Sequence, residues 1–239
     1  MYFVGREKET GQIIKALKRG NNVILTGKYG IGRTSLIKYI ADTTRNQWRF
    51  VFVDFSQTPG KICGLLIDKL LPKNKGRKRG EMLGYKSNRF RISSLDFRDQ
   101  RQHVLVLDNI AKLSAQKLDL IRYFVMAKRF RFVAIAENFI RGDELFVLRA
   151  RLRNALLMNI PHLTIEAARE YFRQSSVQHH FHWTESQINH LAAMSGGYPL
   201  GMKEVMNRKL ARSRSLETPA FPDSSIPEAG GSVSGQKVP

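Results

Sequence analysis

A glycine-rich stretch near the N-terminus has the residue types of a loop that binds phosphate groups. The segment LTGKYGIGRTSLI, residues 25–37, places Gly27 and Gly32 at the spacing G-x-x-x-x-G. Glycines let backbone N–H groups approach phosphate oxygens, and the helix that follows such a loop adds the positive end of its dipole. The hydroxyl of Thr34 is of the kind that ligates Mg²⁺ at this position. The stretch therefore predicts a site for the phosphates of a nucleotide, against the alternative of a flexible turn.

The loop departs from the common pattern at one residue. Arg33 stands where the motif has lysine, and its longer planar fork does not replace a compact ammonium at the β and γ phosphates. Lys28 offers a second cation, because GKYGIGRT is similar to the variant loop GKGGxGKT of the ParA and MinD type. We expect nucleotide binding to persist and catalysis to be weakened. The predicted cofactor contacts of the loop are Gly27, Lys28, Tyr29, Gly30, Ile31, Gly32, Arg33, Thr34 and Ser35.

A second candidate follows an apolar segment further along the chain. The stretch HVLVLDNI, residues 103–110, has the pattern of a buried strand that leads to Asp108. A carboxylate at this place accepts a hydrogen bond from a metal-bound water, which is the role of the Walker B aspartate. Thr34 and Asp108 are therefore the predicted residues of a Mg²⁺ site.

Alternating strand and helix patterns position these residues. Continuous apolar runs predict strands within residues 22–26, 49–56, 103–110 and 130–138. Helical periodicity occupies segments before, between and after them, and Thr164 and Thr184 are predicted N-caps of two helices in the C-terminal part of the chain. Continuous apolar strands that alternate with helices indicate an α/β fold with a mostly parallel sheet that is covered on both faces.

The pattern changes along the chain and divides it. An α/β core is predicted over residues 1–141, and a helical subdomain over 142–212, because strand signals fade beyond Arg141. Residues 213–239 are rich in Pro, Ser and Gly and predict a disordered tail. Within the core, residues 73–103 carry ten Lys or Arg against three Asp or Glu, which predicts a basic insertion, either a loop or partly ordered.

The overall charge indicates the class of partner. The chain has 40 Lys and Arg against 20 Asp and Glu, a formal net charge of +20. Such a field attracts polyanions, of which duplex DNA is the predicted partner and RNA or an acidic protein are the alternatives. A generally basic lineage of proteins is the alternative explanation.

Two further features indicate the compartment. No apolar run reaches the roughly 18 to 20 residues that a membrane span needs, and the N-terminus lacks the apolar core of a signal peptide. The single cysteine, Cys63, lies in an apolar helical run and predicts a buried thiol in a reducing environment. A cytoplasmic location without membrane contact is expected.

Three separated motifs resemble the AAA+ and STAND group of P-loop ATPases, in particular its archaeal-ATPase-like and origin-recognition-like branch. They are FVGREKE near the N-terminus, the loop together with VLVLDN, and SGGYPLGMKEV near residue 200, in the order of that family. The resemblance implies that the helical subdomain is a lid over ATP. It also implies that Val4, Gly5 and Arg6 flank the adenine and that Pro199 lies against the base.

The same resemblance implies the catalytic residues. Asn109 stands where the family usually has an acid that polarises the attacking water, and an amide orients water but takes no proton. Asn138 matches the sensor 1 position, from which a side chain bonds the γ-phosphate or the water. Glu137 is an alternative base, against its interpretation as a solvated strand end.

Arginines and histidines in the C-terminal half leave alternatives open. Related ATPases often carry an arginine finger near LRARLRNAL, and among Arg149, Arg151 and Arg153 the spacing lets at most one or two reach a neighbour's nucleotide. Arg151 is the candidate, and a solvated basic face is the alternative. The segment QHHFHW, residues 178–183, lacks Cys or carboxylate partners at ligand spacing, which favours a surface turn over a zinc site.

These observations predict an ATP- and Mg²⁺-binding switch of the AAA+ or STAND type that engages duplex DNA with low sequence specificity. Slow hydrolysis, self-association and a role as a helper of transposition or another mobile element are the expected finer properties. One alternative is a STAND-like signalling module that binds nucleotide and protein but not DNA. The other is a degenerate scaffold that works without nucleotide.

Overall fold

The computed structural model of the chain describes residues 3–71, 84–95, 101–153 and 155–217, and only the backbone of 212–217. Five strands and nine helices lie within these ranges. In chain order they are α1 (Glu7–Lys18), β1 (Val23–Thr26), α2 (Arg33–Thr43), β2 (Trp48–Asp54), α3 (Pro59–Leu70), α4 (Tyr85–Ser93), β3 (Gln102–Ile110), α5 (Ala115–Met126), β4 (Phe130–Ala136), α6 (Gly142–Arg151), β5 (Leu156–Asn159), α7 (Ile165–Gln178), α8 (Glu185–Ser195) and α9 (Pro199–Glu217).

The five strands form one sheet in the order β2-β3-β4-β1-β5, and each described pairing is parallel. The strands are apolar because both faces of the sheet are covered. Helices α1 and α2 pack on one face, where Ile13 and Leu36 meet Leu25, and helices α3 to α6 pack on the other, where Leu66 and Ile121 join the cluster around Ile24. The predicted α/β fold with a parallel sheet is confirmed.

The predicted end of the α/β core at residue 141, beyond which strand signals fade, misses one strand of the sheet. Strand β5 pairs with β1 along its whole length, from Leu156 beside Val23 to Asn159 beside Thr26. Its four residues at the edge of the sheet are too few for a periodic signal, and the run reads equally as the end of a helix. Helix α6 also belongs to the sheet layers, because it contributes to their apolar cluster. We therefore place the end of the α/β core after β5 rather than at residue 141.

Helices α7 to α9 form a separate small layer with its own apolar cluster, around Phe172, Ile188 and Met202. The predicted N-caps Thr164 and Thr184 are confirmed. The hydroxyl of Thr164 accepts from the N–H of Ala167, and Thr184 forms a capping box. No helix in the described part of the chain is both long enough and apolar enough to cross a membrane.

Part of the predicted basic insertion is a packed helix. In α4 the side chains of Asn88 and Ile92 are buried, and Arg89 donates to Asp119 of α5 at 2.8 Å. Its two large inward residues are too few to show helical periodicity in the sequence. Most of the remaining insertion, residues 73–83 and 96–100, lies outside the described residues. The tail predicted to begin at residue 213 begins too early, because helix α9 continues to Glu217, and residues 218–239 lie outside the described part of the chain.

Candidate nucleotide-binding site

The glycine loop joins β1 to α2 at the carboxyl edge of the sheet. Gly27, Gly30 and Gly32 have φ values of 139°, 73° and 91°, a region that favours glycine. A Cβ on Gly27 would lie 2.8 Å from the carbonyl oxygen of Ile160, which leaves no room for a side chain. Gly32 then precedes the first turn of α2, so the loop directs its backbone toward the positive end of that helix.

The two predicted metal-site residues lie together. The hydroxyl of Thr34 donates to the carboxylate of Asp108, with its oxygen 3.1 Å from both Oδ1 and Oδ2. The pKa of the Asp108 carboxyl is raised above its ordinary value, because the effect of burial exceeds the opposing effect of the hydrogen bond from Thr34. A hydroxyl and a carboxylate beside a phosphate loop are oxygen donors of the kind that Mg²⁺ prefers, so the residues present fit this ion.

Arg33 is directed toward the end of β4 and not into the loop. Its side chain is buried, its Nη1 donates to the carbonyl oxygen of Ala136, and its Nη2 lies 2.8 Å from Oε2 of Glu137. The predicted phosphate cation is thus engaged by an acidic side chain of the same chain. The sequence indicates Glu137 only as an alternative base, and its pairing with Arg33, 104 residues away, leaves no local signal.

Asn109 is directed toward the neighbouring strand. It has a left-handed φ of 58° at a register shift in β3, and its Nδ2 lies 3.4 Å from Oδ1 of Asp54. Hydrogen bonds from Gln57, Ser56 and Asn109, against the opposing effect of burial, lower the pKa of Asp54 to about 2. Asp54 is not among the residues predicted from the sequence, although its place at the end of an apolar run is a usable signal.

The remaining catalytic candidates lie on the surface. Asn138 is exposed in the turn that follows β4. Arg149 and Arg151 are exposed in the last turn of α6, while Arg153 has a φ of 46° and donates to the sulfur of Met126 at 2.9 Å. Their assigned roles stay predictions.

A cavity of about 350 Å³ lies between the α/β core and the helical layer. An apolar cleft with a few polar groups is the usual form of a site for a flat organic ring. It brings together several residues that the sequence assigned to the nucleotide. These are Val4, Arg6, Ile31, Gly32, Ser35 and Pro199.

Two residues of the predicted adenine motif position the elements around this cavity. The buried guanidinium of Arg6 donates to the carbonyl oxygen of Pro161 at 2.7 Å and to that of Ile31 at 3.4 Å. Gly5 has a φ of 70°, and a Cβ there would collide with the side chain of Ala167. Arg6 and Gly5 therefore hold the loop and α7 close to each other.

The helical layer also touches the tip of the loop. The hydroxyl of Tyr198 donates to the carbonyl oxygen of Tyr29 at 2.6 Å. A Cβ on Gly30 would lie 2.7 Å from the Cβ of Leu200. Lys28, the second candidate cation, is exposed at this tip.

The histidine-rich segment forms a turn after α7. His180 and His182 have φ values of 54° and 52°, and His179 lines the cavity. In the residues that the structure describes, no three His, Cys, Asp or Glu side chains are grouped as a metal site.

Comparison with known proteins adds a family and a set of similar folds. Residues 2–135, which include the loop and Asp108, match the family described as the AAA ATPase domain. No curated protein sequence matches the chain significantly.

Three solved structures are similar to this chain at low sequence identity. Orc1 of Aeropyrum pernix, in a complex with DNA, has a TM-score of 0.63 and 14% identity over 89% of this chain and 62% of its own. RuvB of Thermotoga maritima, a Holliday junction branch migration motor, has a TM-score of 0.55 and 16% identity over 90% and 65%. A STAND protein with a tetratricopeptide repeat sensor from Pyrococcus horikoshii has a TM-score of 0.50 and 16% identity over 91% and 33%. The chain thus spans less than two thirds of each of these proteins, and the likeness concerns the fold.

Proposed function

The chain belongs to the AAA ATPase domain family, and from this premise we propose that it binds ATP with Mg²⁺ between the glycine loop and the helical layer. The observation that carries the proposal is the contact of Thr34 with Asp108 at 3.1 Å, directly after the loop. Bound Mg²⁺ supplies charge neutralisation at the β and γ phosphates.

The residues of the site have separate tasks in this proposal. Thr34 and Asp108 hold the metal ion, and the loop N–H groups hold the phosphates. Ile31 and Pro199 cover the base in the cavity. Asn138 lies in the turn that follows β4, from which it would bond the γ-phosphate or the attacking water.

Nucleotide occupancy, rather than rapid turnover, is the proposed signal. Asn109 has no carboxylate with which to take a proton, and Arg33 is engaged by Glu137. The contact of Tyr198 with Tyr29 joins the helical layer to the loop, so a ligand in the loop biases the position of that layer. The protein therefore acts as an ATP-dependent switch with slow hydrolysis.

A thermal shift experiment tests the binding step. ATP with Mg²⁺ is expected to raise the melting temperature of the wild type, because a ligand that binds only the folded state stabilises it. Thr34→Ala is expected to reduce that rise through loss of a metal ligand. Thr43→Ala on the same helix is the matched control, since among the described residues its hydroxyl donates to the backbone carbonyls of Tyr39 and Ile40 in α2, and its response to ATP is expected to equal the wild type. Absence of any shift with millimolar ATP or ADP would leave the nucleotide-independent scaffold as the better account.

Duplex DNA is the proposed macromolecular partner. The formal net charge of +20 supports a polyanion, and the structure of Orc1 in complex with DNA has a similar fold. On α4 and α5, Arg89 and Arg122 share the single carboxylate of Asp119, at 2.8 and 2.9 Å, beside a cavity of about 410 Å³. Two guanidinium groups against one carboxylate leave a net positive surface there, which suits a phosphate backbone.

Self-association and a cellular setting complete the proposal. Phe146 and Arg149 lie one turn apart on α6, and the side chain of Phe146 is 75% exposed. We propose that a second copy packs against the C-terminal end of α6, where Arg151, on a different face of the helix from Arg149, reaches the nucleotide of that copy. A helper role in transposition or another mobile element is the proposed setting. A STAND-like signalling module that binds protein instead of DNA is the second candidate, supported by the similar STAND fold.

A further inference from the structure

The residue at the lysine position of the loop is held by a carboxylate from another strand. Arg33 begins α2, and its guanidinium reaches across to the carboxyl end of β4. There it donates to the carbonyl oxygen of Ala136 and to Oε2 of Glu137, the latter at 2.8 Å. Only 5% of the Arg33 side chain and 13% of the Glu137 side chain are exposed. The two side chains therefore form an ion pair that is almost completely shielded from solvent.

The carboxylate itself is fixed in place. The backbone N–H of Glu137 donates to the carbonyl oxygen of Ile110 at 2.9 Å, which ties this end of β4 to β3. The carboxylate of Glu137 is therefore held beside the guanidinium of Arg33 at the carboxyl end of β4.

Arginine is suited to this pairing in a way that lysine is not. Its planar fork presents several N–H donors, so it contacts the carbonyl oxygen and the carboxylate together, whereas an ammonium is a shorter point charge. The residue at this loop position is the one that reaches the β and γ phosphates. A phosphate oxygen and the Glu137 carboxylate are anions that compete for the same donors.

We propose that Glu137 determines the nucleotide affinity of this site, because it holds the guanidinium of Arg33 and competes with the β and γ phosphates for it. The inference rests on the proposed binding of ATP and adds an internal competitor to it. The β and γ phosphates of a nucleotide contact the guanidinium of Arg33 only when they displace the carboxylate of Glu137 from it. The wild-type affinity for ATP is therefore lower than the loop itself permits, and the deficit depends on the phosphates and not on the base.

The test compares Glu137→Gln with the wild type by calorimetric titration of ATP and of AMP, each with Mg²⁺. Gln keeps the size of the side chain and removes its charge. We expect the melting temperature without nucleotide to fall, because Arg33 loses the negative charge of its partner, and the affinity for ATP to rise about tenfold. The affinity for AMP, which has no β or γ phosphate, is expected to stay the same.

A second variant and a control keep the test independent of folding effects. Arg33→Lys detaches the loop cation from Glu137 and is expected to raise ATP affinity as well, while Arg33→Lys with Glu137→Gln adds little to either single change. Asp119→Asn removes the shared acidic partner of Arg89 and Arg122 on α5, outside the nucleotide site, and is expected to lower stability without changing ATP affinity.

The possible results distinguish a failure of the competition between Glu137 and phosphate from a failure of ATP binding itself. Equal or weaker ATP binding by both Glu137→Gln and Arg33→Lys, alongside measurable binding by the wild type, overturns the competition and leaves ATP binding intact. An equal gain for ATP and AMP also overturns it, because the effect would then not depend on the phosphates. Failure of the wild type and of every variant to bind ATP removes the proposed function and the inference with it.

Discussion

Asn109 occupies the position of the expected catalytic acid, and its side chain contacts a carboxylate of the neighbouring strand. An acid at this position would polarise the attacking water, whereas the amide of Asn109 donates toward Asp54 on the adjacent strand. A glutamate there would face the carboxylate of Asp54 and be repelled by it. Restoring an acid therefore requires relief of that repulsion.

Hydrolysis by repaired variants tests this account. Asn109→Glu with Asp54→Asn is expected to release phosphate from ATP faster than Asn109→Glu alone, because the new carboxylate then lacks a like charge beside it. A general base contributes about 10² to 10⁴ in rate, so a gain of about 10² over the wild type is expected for the best variant. Adding Arg33→Lys is expected to raise the rate further. The measurement is steady-state phosphate release with and without DNA.

Asp108→Asn serves as the negative control for that series, since it removes a proposed metal-site carboxylate. Rapid hydrolysis by the wild type that Asn109→Glu slows would contradict the assignment. In that case Glu137 or another group is the base.

At the scale of elements, the site depends on how the helical layer meets the loop. The junction of α8 and α9 contains two consecutive glycines with left-handed backbone, Gly196 at φ 53° and Gly197 at φ 68°. A Cβ on Gly197 would collide with the carbonyl group of Leu163, whereas one on Gly196 would meet no atom within 4 Å. The two positions thus share backbone strain and differ in crowding.

Alanine substitution separates these two effects. Gly196→Ala is expected to lower the free energy of unfolding by about 1 kcal/mol, the cost of a left-handed residue with a Cβ. Gly197→Ala is expected to cost more, about 2 to 4 kcal/mol, since the chain must also move away from Leu163. Urea unfolding of the two variants and the wild type measures the difference. Equal losses would show that the segment around Leu163, before α7, is not packed against the α8–α9 junction as the structure has it.

At the scale of the whole molecule, excess positive charge is the dominant property. With 40 basic and 20 acidic residues, binding to duplex DNA is expected to weaken steeply as salt rises. The slope of log affinity against log salt changes by about 0.9 for each phosphate neutralised. A substitution that removes a contact with phosphate is therefore expected to make the slope shallower, and the substituted residues then locate the bound DNA.

Charge-removing variants locate that surface. Arg122→Gln with Arg153→Gln, near Met126 on α5, is expected to reduce the slope by about 2 with little effect of DNA sequence. Lys15→Gln with Lys18→Gln removes the same charge from α1, on the opposite face of the sheet, and is the matched control. Replacement of Lys75, Arg77, Lys78 and Arg79, which lie outside the described residues, tests the rest of the basic insertion in the same way.

Two results would contradict the location or the partner. Equal slopes for the Arg122→Gln, Arg153→Gln variant and the wild type would place the DNA on another surface. Absence of DNA binding at low salt would favour the signalling module that binds protein.

Local sequence determined the architecture and the loop of this protein. Continuous apolar runs of strand length predicted the parallel sheet, and the glycine spacing predicted the turn between β1 and α2. Thr164 and Thr184 were recognisable as N-caps because capping depends on residues within one turn. These features are encoded by neighbours along the chain, so no knowledge of the sheet order was needed.

The pairings at the site were decided only by the tertiary structure. Arg33 and Glu137 are 104 residues apart, and Asn109 and Asp54 are 55 apart. Each pair meets because the carboxyl ends of parallel strands share one edge of the sheet, and which ends are neighbours depends on the strand order β2-β3-β4-β1-β5. Strand β5 escaped prediction for the same reason, since four residues at a sheet edge acquire their strand character from the pairing with β1 and not from their own pattern.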